Sequence, residues 1–258
     1  MDFNKIATKV EHKLPSQSKN IIYPSYLTNK LSEEIGIHIG DGSLMIIPKK
    51  KSTDYLYAIS GSKDDLEFLF YVRNLIYSIF GLIPTQFRLD KNAYLMEYYC
   101  KALVLWKKMI GLPVGKKQNI KIPQFIERSP YVLDCIRGIV DTDGCLMFKN
   151  KSRDRYYPVI KIQMKSKPLI KQLYGILIKY GFVPSTMYDV KQESGWGQLL
   201  KTNILCVNGI KNFNQWINLI GFSNPVNITK VKIWQKFGFY FPKTTLYERK
   251  LILGELRY

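Results

Sequence analysis

A chain of 258 residues with 46% apolar side chains can build the core of one large domain or two small ones, and no part of it reads as a disordered tail. Its 39 Lys and Arg against 20 Asp and Glu leave a formal charge of +19, which favours a polyanionic partner such as nucleic acid. No apolar run approaches the roughly 18 residues that span a bilayer, and the start of the chain carries Asp2 and Glu11 without a leader-like apolar region, so a soluble protein without a membrane partner or secretory leader is expected.

Residues 1–27 are weakly patterned and read as an N-terminal extension. Ser25 or Thr28 can cap a first helix, in which Leu31, Ile35 and Ile39 recur at helical spacing beside Gly36 and Gly40. This helix ends in Asp41-Gly42, with Gly42 expected to supply a left-handed stop. Stretches 44–47 and 55–60 read as strands around the basic loop Lys49-Lys50-Lys51. Asp64 and Asp65 open a helix that stops at Phe80-Gly81. Stretches 84–89 and 93–99 pair across the turn Asp90-Lys91-Asn92, and a short helix follows over 103–110.

Residues 113–128 read as a linker, rich in Gly and Pro with Lys116, Lys117 and Lys121. Ser129-Pro130 offers an N-cap and a proline at the first helical position. The order then repeats. A helix runs to Asp143-Gly144, strands lie at 145–148 and 158–164 around a basic loop containing Lys149 and Lys151, a helix covers 168–179, and strands lie at 185–190 and 203–207. Tyr180-Gly181-Phe182-Val183-Pro184 echoes Phe80-Gly81-Leu82-Ile83-Pro84. Trp216-Ile217-Asn218-Leu219-Ile220-Gly221 echoes Trp106-Lys107-Lys108-Met109-Ile110-Gly111. Thr245-x-x-Glu248 is a capping box for a last helix. The chain thus divides into an extension (1–27), a first half (28–112), a linker (113–128) and a second half with a C-terminal helix (129–258), each half an αββαββα module.

Two stretches organise this repeat: Glu34-Ile35-Gly36-Ile37-His38-Ile39-Gly40-Asp41-Gly42 and Ile136-Arg137-Gly138-Ile139-Val140-Asp141-Thr142-Asp143-Gly144. A glycine inside a helix costs about 1 kcal/mol against alanine. Gly36 and Gly40, matched by Gly138 and Thr142, therefore suggest two helix backbones packed in contact. That packing would set Asp41 and Asp143 side by side at helix C-termini, where the dipole is already negative. Paired carboxylates there call for a cation, and hard oxygen ligands favour Mg²⁺, completed by water and phosphate oxygens. A metal so held can activate water and stabilise the leaving oxygen of a phosphodiester. Asp141-x-Asp143-Gly144 lacks the spacing and closing Glu of an EF-hand. Cys100, Cys135, Cys145 and Cys206 form no Cys-x-x-Cys pair, and with His12 and His38 they suggest no zinc site but free thiols in a reducing compartment. Trp106 and Trp216 are expected in the core, and His38 is given no catalytic role.

These two stretches resemble the paired motifs of the LAGLIDADG homing endonucleases in their monomeric, two-motif form. The second motif is close to the family pattern; the first has Ile39 where an acid often stands. The resemblance implies an α+β fold, a pseudo-twofold pair of αββαββα modules whose antiparallel sheets form a DNA-binding saddle. It implies site-specific double-strand DNA cleavage, with Asp41 and Asp143 as catalytic and metal-binding acids, Gly40 and Thr142 as further metal positions, and Mg²⁺ (or Mn²⁺) as cofactor. Lys117 and Lys230 match the basic residues that the family places near its active site, where a lysine could polarise water or offset phosphate charge.

On the saddle strands, alternation sets Lys161, Gln163 and Lys165 on one face and Gln86, Arg88 and Asp90 on another. Arg and Lys can read guanine, and Gln can read adenine. Lys49 and Lys151 lie in the basic loops. The expected partner is duplex DNA with a long asymmetric target, bound by a monomer, with intron RNA as a further partner if the gene is intron-encoded. The chain starts with Met and lacks splice-junction chemistry at its ends, which suggests a free-standing protein. Location follows as cytoplasmic and nucleoid-associated in a prokaryote, or in an organelle matrix. The alternatives are an RNA-splicing maturase or a non-cleaving DNA-binding regulator on the same scaffold, and a structural binder that contacts only the nucleic-acid backbone.

Overall fold

The structure is a computed structural model and describes residues 1–15, 21–149, 156–193 and 199–256. Two compact units emerge, Met1–Thr142 and Asp143–Tyr258. The fold is α+β, and each unit holds a four-stranded antiparallel sheet.

The first unit begins with α1 (Phe3–Glu11), where an unpatterned extension was expected. Asp2 caps it, accepting from the Lys5 amide at 2.9 Å. Nine residues are too few to hold a helix in water without docking; here Phe3 stacks on Trp106 at 5.8 Å between ring centroids, and Val10 is buried. Helix α2 (Asn29–Gly40) is capped by Thr28, whose hydroxyl accepts from the Leu31 amide at 3.1 Å. Then come β1 (Gly42–Pro48), β2 (Thr53–Ser62), α3 (Leu66–Phe80), β3 (Gln86–Asp90), β4 (Ala93–Tyr99) and α4 (Lys101–Met109). Gly81 ends α3 in the left-handed region. The strands lie in the order β1-β2-β4-β3, with Leu44 opposite Tyr57 and Tyr57 opposite Tyr98. Trp106 is fully buried, with Phe80 edge-on to it at 5.4 Å.

Helix α5 (Gln124–Glu127) interrupts the linker, and α6 (Val132–Asp143) starts two residues later than the Ser129 cap and Pro130 suggested. The Ser129 hydroxyl donates to the Ile126 carbonyl at 2.8 Å and accepts from the Tyr131 amide at 3.1 Å. It closes the turn between the two helices instead of capping the second. Gly42 also departs from expectation, since it does not take a positive φ. The α2 end is made by Asp41 at φ −92°, and Gly42 already pairs in β1 opposite Ile59. Glycine is required there for space: a Cβ would lie 2.6 Å from the His38 Cα.

The second unit repeats the order with β5 (Gly144–Lys149), β6 (Tyr157–Met164), α7 (Lys167–Lys179), β7 (Pro184–Glu193), β8 (Leu199–Asn208) and α8 (Ile210–Leu219). Its sheet runs β5-β6-β8-β7, the same arrangement as the first. Trp216 is buried against Phe182 at 5.8 Å, so both tryptophans are core residues as expected. An element unread in the sequence follows, α9 (Pro225–Phe237). Asn224 caps it, accepting from the Val226 amide at 2.9 Å; Pro225 stands in its first turn, and Gly238 stops it in the left-handed region. These are ordinary start and stop signals, masked by a weakly amphipathic interior. The final helix α10 (Leu246–Leu253) has the expected capping box between Thr245 and Glu248. No helix among the described residues is long and apolar enough to cross a membrane.

Candidate functional site

Helices α2 and α6 meet at their glycines. A Cβ on Gly36 would fall on the Cys135 carbonyl, and one on Gly138 would fall on the Glu33 carbonyl and lie 2.8 Å from the Ile37 amide nitrogen. The small-residue reading of the two motifs therefore holds at Gly36 and Gly138. Polar side chains lock the same contact. The Ser32 hydroxyl donates to the Tyr131 carbonyl at 2.7 Å, and Arg137 bridges Glu33 and Asp134, both at 2.8 Å. Tyr71 donates a further bond to Glu33 at 2.8 Å.

The other side of α2 faces the sheet through Glu34 and His38. Glu34 and Lys107 form a fully buried ion pair, with Nζ 2.6 and 2.7 Å from the two carboxylate oxygens. Tyr57 donates to Glu34 at 2.9 Å, and the Lys107 ammonium lies 4.3 Å from the Tyr57 ring centre. Burial pulls the Lys107 pKa down, opposed by Glu34. It pushes the Tyr57 hydroxyl well up, with Glu34 adding to it. His38 is fully buried with its ring 5.3 Å from that of Tyr57. Burial, followed by the charges of Lys107 and Lys117, holds its imidazole well below the usual range, hence neutral.

Asp41 stands at the end of α2, half-buried, its amide donating to the Ile37 carbonyl at 3.0 Å. Lys117 arrives from the linker and places its ammonium on the last carbonyls of the helix: His38 at 3.3 Å, Ile39 at 3.0 Å, and Gly40. It thereby completes the orphan acceptors of the helix end and offsets the dipole there. The sequence placed Lys117 near this acid, and the structure brings the two to the same helix end. The Gly40 carbonyl, expected as a metal ligand, is the acceptor of that ammonium.

Asp143 is the last residue of α6 and half-buried, while its neighbour Asp141 is buried. The Thr142 hydroxyl donates back to the helix, to Gly138 and Ile139 carbonyls at 3.0 Å each. In the second unit Lys230 projects from α9 and donates to the Leu146 carbonyl at 3.0 Å, while Asn227, absent from the sequence reading, accepts from the Leu146 amide at 3.4 Å. In the first unit the matching Leu44 carbonyl takes the Gly115 amide at 2.8 Å. Backbone serves one half and side chains of α9 serve the other.

Each helix tip thus offers one carboxylate, a hard oxygen donor suited to a divalent ion, while the carbonyls at the α2 tip already take the Lys117 ammonium. Among the described residues no group of three or more His, Cys, Asp or Glu converges on a point. Most ligands of such an ion would have to be water or phosphate oxygens.

The sheet faces turned away from the helices carry the remaining candidates. Gln86 and Arg88 are exposed on β3, and the register places Gln86 opposite Glu97. The Arg88 Nε donates to Glu97 at 3.3 Å, and its Nη1 lies 3.7 Å from Asp90. On β6, Lys161 lies between Cys145 and Cys206, and Gln163 donates to the Thr202 hydroxyl at 3.2 Å. Lys165 sits in the bend beyond the end of β6, and Lys49 lies in the β1–β2 turn, ion-paired to Asp54. Lys151 lies outside the described residues. Glu97 went unread in the sequence, although the alternation of β4 sets it with Leu95 and Tyr99 on the face opposite the buried Met96 and Tyr98.

No family model matches the sequence. A curated glutamine–fructose-6-phosphate aminotransferase of Methanocaldococcus jannaschii is 27% identical over 213 residues; the match spans 81% of this chain but only 18% of that protein. Among solved structures, a variant of the homing endonuclease I-DmoI has a TM-score of 0.53 at 16% identity, covering 75% of this chain and 95% of its own. I-DmoI in complex with its target DNA and manganese gives 0.52 at 16% identity, covering 75% and 93%. A lysine variant of the meganuclease I-SmaMI gives 0.54 at 12% identity, covering 91% and 99%. With two antiparallel sheets of identical strand order and a repeated αββαββα sequence of elements, this chain has the fold of the LAGLIDADG homing endonucleases.

Proposed function

We propose that this protein is a site-specific endonuclease that binds duplex DNA as a monomer and hydrolyses one phosphodiester bond in each strand. The observation that carries the reading is the repeat itself: a half-buried aspartate ends the motif helix of each module, on a chain of +19 charge. In support, the solved structures of like fold include I-DmoI on target DNA with manganese and I-DmoI with DNA and calcium. The aminotransferase activity named for the curated relative is not carried over, since the match covers under a fifth of that protein.

Asp41 and Asp143 are assigned to hold divalent metal, Mg²⁺ or Mn²⁺, with Gly40 and Thr142 beside them. Such an ion supplies Lewis acidity toward the phosphate and a more acidic water. The chain's own contribution is placement. The α2–α6 glycine contact fixes the helix from which Asp41 extends, and Lys117 supplies fixed positive charge at that helix end. Lys230 is assigned the same duty in the second half. Gln86, Arg88, Lys161, Gln163 and Lys165 are assigned to base edges, and Lys49 and Lys151 to phosphates. The rival reading is a maturase or regulator that binds without cutting. It draws on the occupation of the Gly40 carbonyl by the Lys117 ammonium.

The test is cleavage of supercoiled plasmids carrying sites selected from a randomised duplex library, with Mg²⁺ or Mn²⁺. Asp41→Asn and Asp143→Asn keep the side-chain shape and remove the charge. Each is expected to lower cleavage by about a hundredfold or more while a gel shift on the same site persists. Wild-type cutting rates in either variant would defeat the paired-acid assignment. A wild type that binds a specific site and never cuts it would install the rival.

A further inference from the structure

We infer that Glu97 is a positioning residue: its carboxylate holds the Arg88 guanidinium in the orientation that reads one guanine of the target. This rests on the DNA-binding reading above. A carboxylate on the phosphate-facing sheet of a +19 chain opposes binding, so its presence asks for a reason. The Glu97 side chain is only 9% exposed, in the middle of the sheet face, and too sunken to reach a base edge itself. A buried carboxylate must be paired, and its partner is Arg88, whose Nε lies 3.3 Å away.

The Arg88 side chain stays 49% exposed, and Asp90 at 3.7 Å gives it a second hold. An arginine reads guanine through two N–H groups aligned on O6 and N7. A free side chain loses rotamer freedom in reaching that alignment; one already held by carboxylates loses less. Gln86, directly opposite Glu97, shares the same face.

The device belongs to one half only. By strand register the position matching Glu97 in the second sheet is Cys206, and the position matching Arg88 is Met187. The second face instead presents Lys161 and Gln163. A single arginine-read G·C pair is therefore expected in one half of the target, without a symmetric counterpart.

The experiment uses the full chain. A target is selected from randomised duplex DNA, and binding is then measured on it and on every single base-pair substitution. Wild type should lose about tenfold at one G·C pair when that pair is changed. Arg88→Ala and Arg88→Lys should erase that preference, the lysine because it lacks the fork. Glu97→Gln should reduce it about fivefold at the same pair alone, while raising non-specific affinity at low salt, since a negative charge has gone. The Arg88→Ala/Glu97→Gln double variant should show no loss at that pair beyond Arg88→Ala. A merely structural ion pair would instead weaken binding evenly across the site.

The inference falls if Glu97→Gln keeps the full preference, or loses it at a pair that Arg88→Ala leaves untouched. If Glu97→Gln melts below the assay temperature, Arg88→Lys decides, because Arg88 is exposed and safe to change: retention of the preference overturns the inference. Failure of wild type to bind any duplex from the library would overturn the DNA reading itself, a result distinct from binding without that one preference.

Discussion

Three buried ionisable groups, His38, Lys107 and Glu34, make the first unit sensitive at single residues. His38 is neutral and fully buried in the folded chain, whereas in the unfolded chain it titrates near its ordinary 6.5. Below that pH the unfolded state binds a proton that the folded state refuses, so the His38 contribution is present above about pH 6.5 and lost on acidification. Thermal melts from pH 7.5 to 5 should therefore fall more steeply for wild type than for His38→Leu, and parallel curves would refute the assignment. Lys107 and Glu34 present the opposite case, a pair worth little in sum but costly to split. Lys107→Met should destabilise by about 3–5 kcal/mol, because it leaves Glu34 buried without its cation. Adding Glu34→Gln should recover part of the loss in a denaturant titration. A Lys107→Met protein as stable as wild type would mean that the pair is not buried in solution.

At the scale of elements, the contact of α2 with α6 is decided by backbone proximity. Gly138→Ala would drive a methyl into the Glu33 carbonyl and toward the Ile37 amide. The helices would have to part, at about 1–3 kcal/mol or more, lowering the melting temperature by roughly 5 °C or more. Gly175 is the internal control. It lies in α7, exposed, and an added Cβ meets nothing within 4 Å. Gly175→Ala should stabilise by about 0.5–1 kcal/mol through helix propensity alone. Two melts settle the matter: shifts of opposite sign are expected, the larger at Gly138, and a neutral Gly138→Ala would remove the close approach.

At the scale of the whole molecule, charge dominates. Acids on the first sheet face are each matched to a base, Asp54 to Lys49 and both Asp90 and Glu97 to Arg88. The excess of 39 Lys and Arg over 20 Asp and Glu still leaves a strongly positive chain to meet phosphates. Binding to duplex DNA should weaken by about 10³ between 50 and 200 mM salt, with a log–log slope of about −0.9 per phosphate neutralised. A flat salt dependence in a fluorescence-anisotropy titration would strike nucleic acid from the partners.

Module order is legible in the chain itself, because apolar periodicity switches visibly between 3.6 and 2 and the signals Thr28, Gly81 and Thr245 stop or start helices locally. The sequence also disclosed both Asp-tipped helices and the need for small residues between them, since a repeated glycine in a helix is written in the chain. Tertiary structure alone decided the rest. Helix α1 is strongly amphipathic but too short to hold alone, and it stands because Trp106 receives Phe3; α9 lacks the amphipathic pattern to declare itself, and its Asn227 and Lys230 serve β5. Gly42 proved to be a matter of room beside His38, not of backbone handedness, and that depends on a neighbour one turn back along the helix. Glu97 took on meaning only once register set it beside Arg88. Strand pairing is a long-range choice, and no local propensity records which side chains it will bring together.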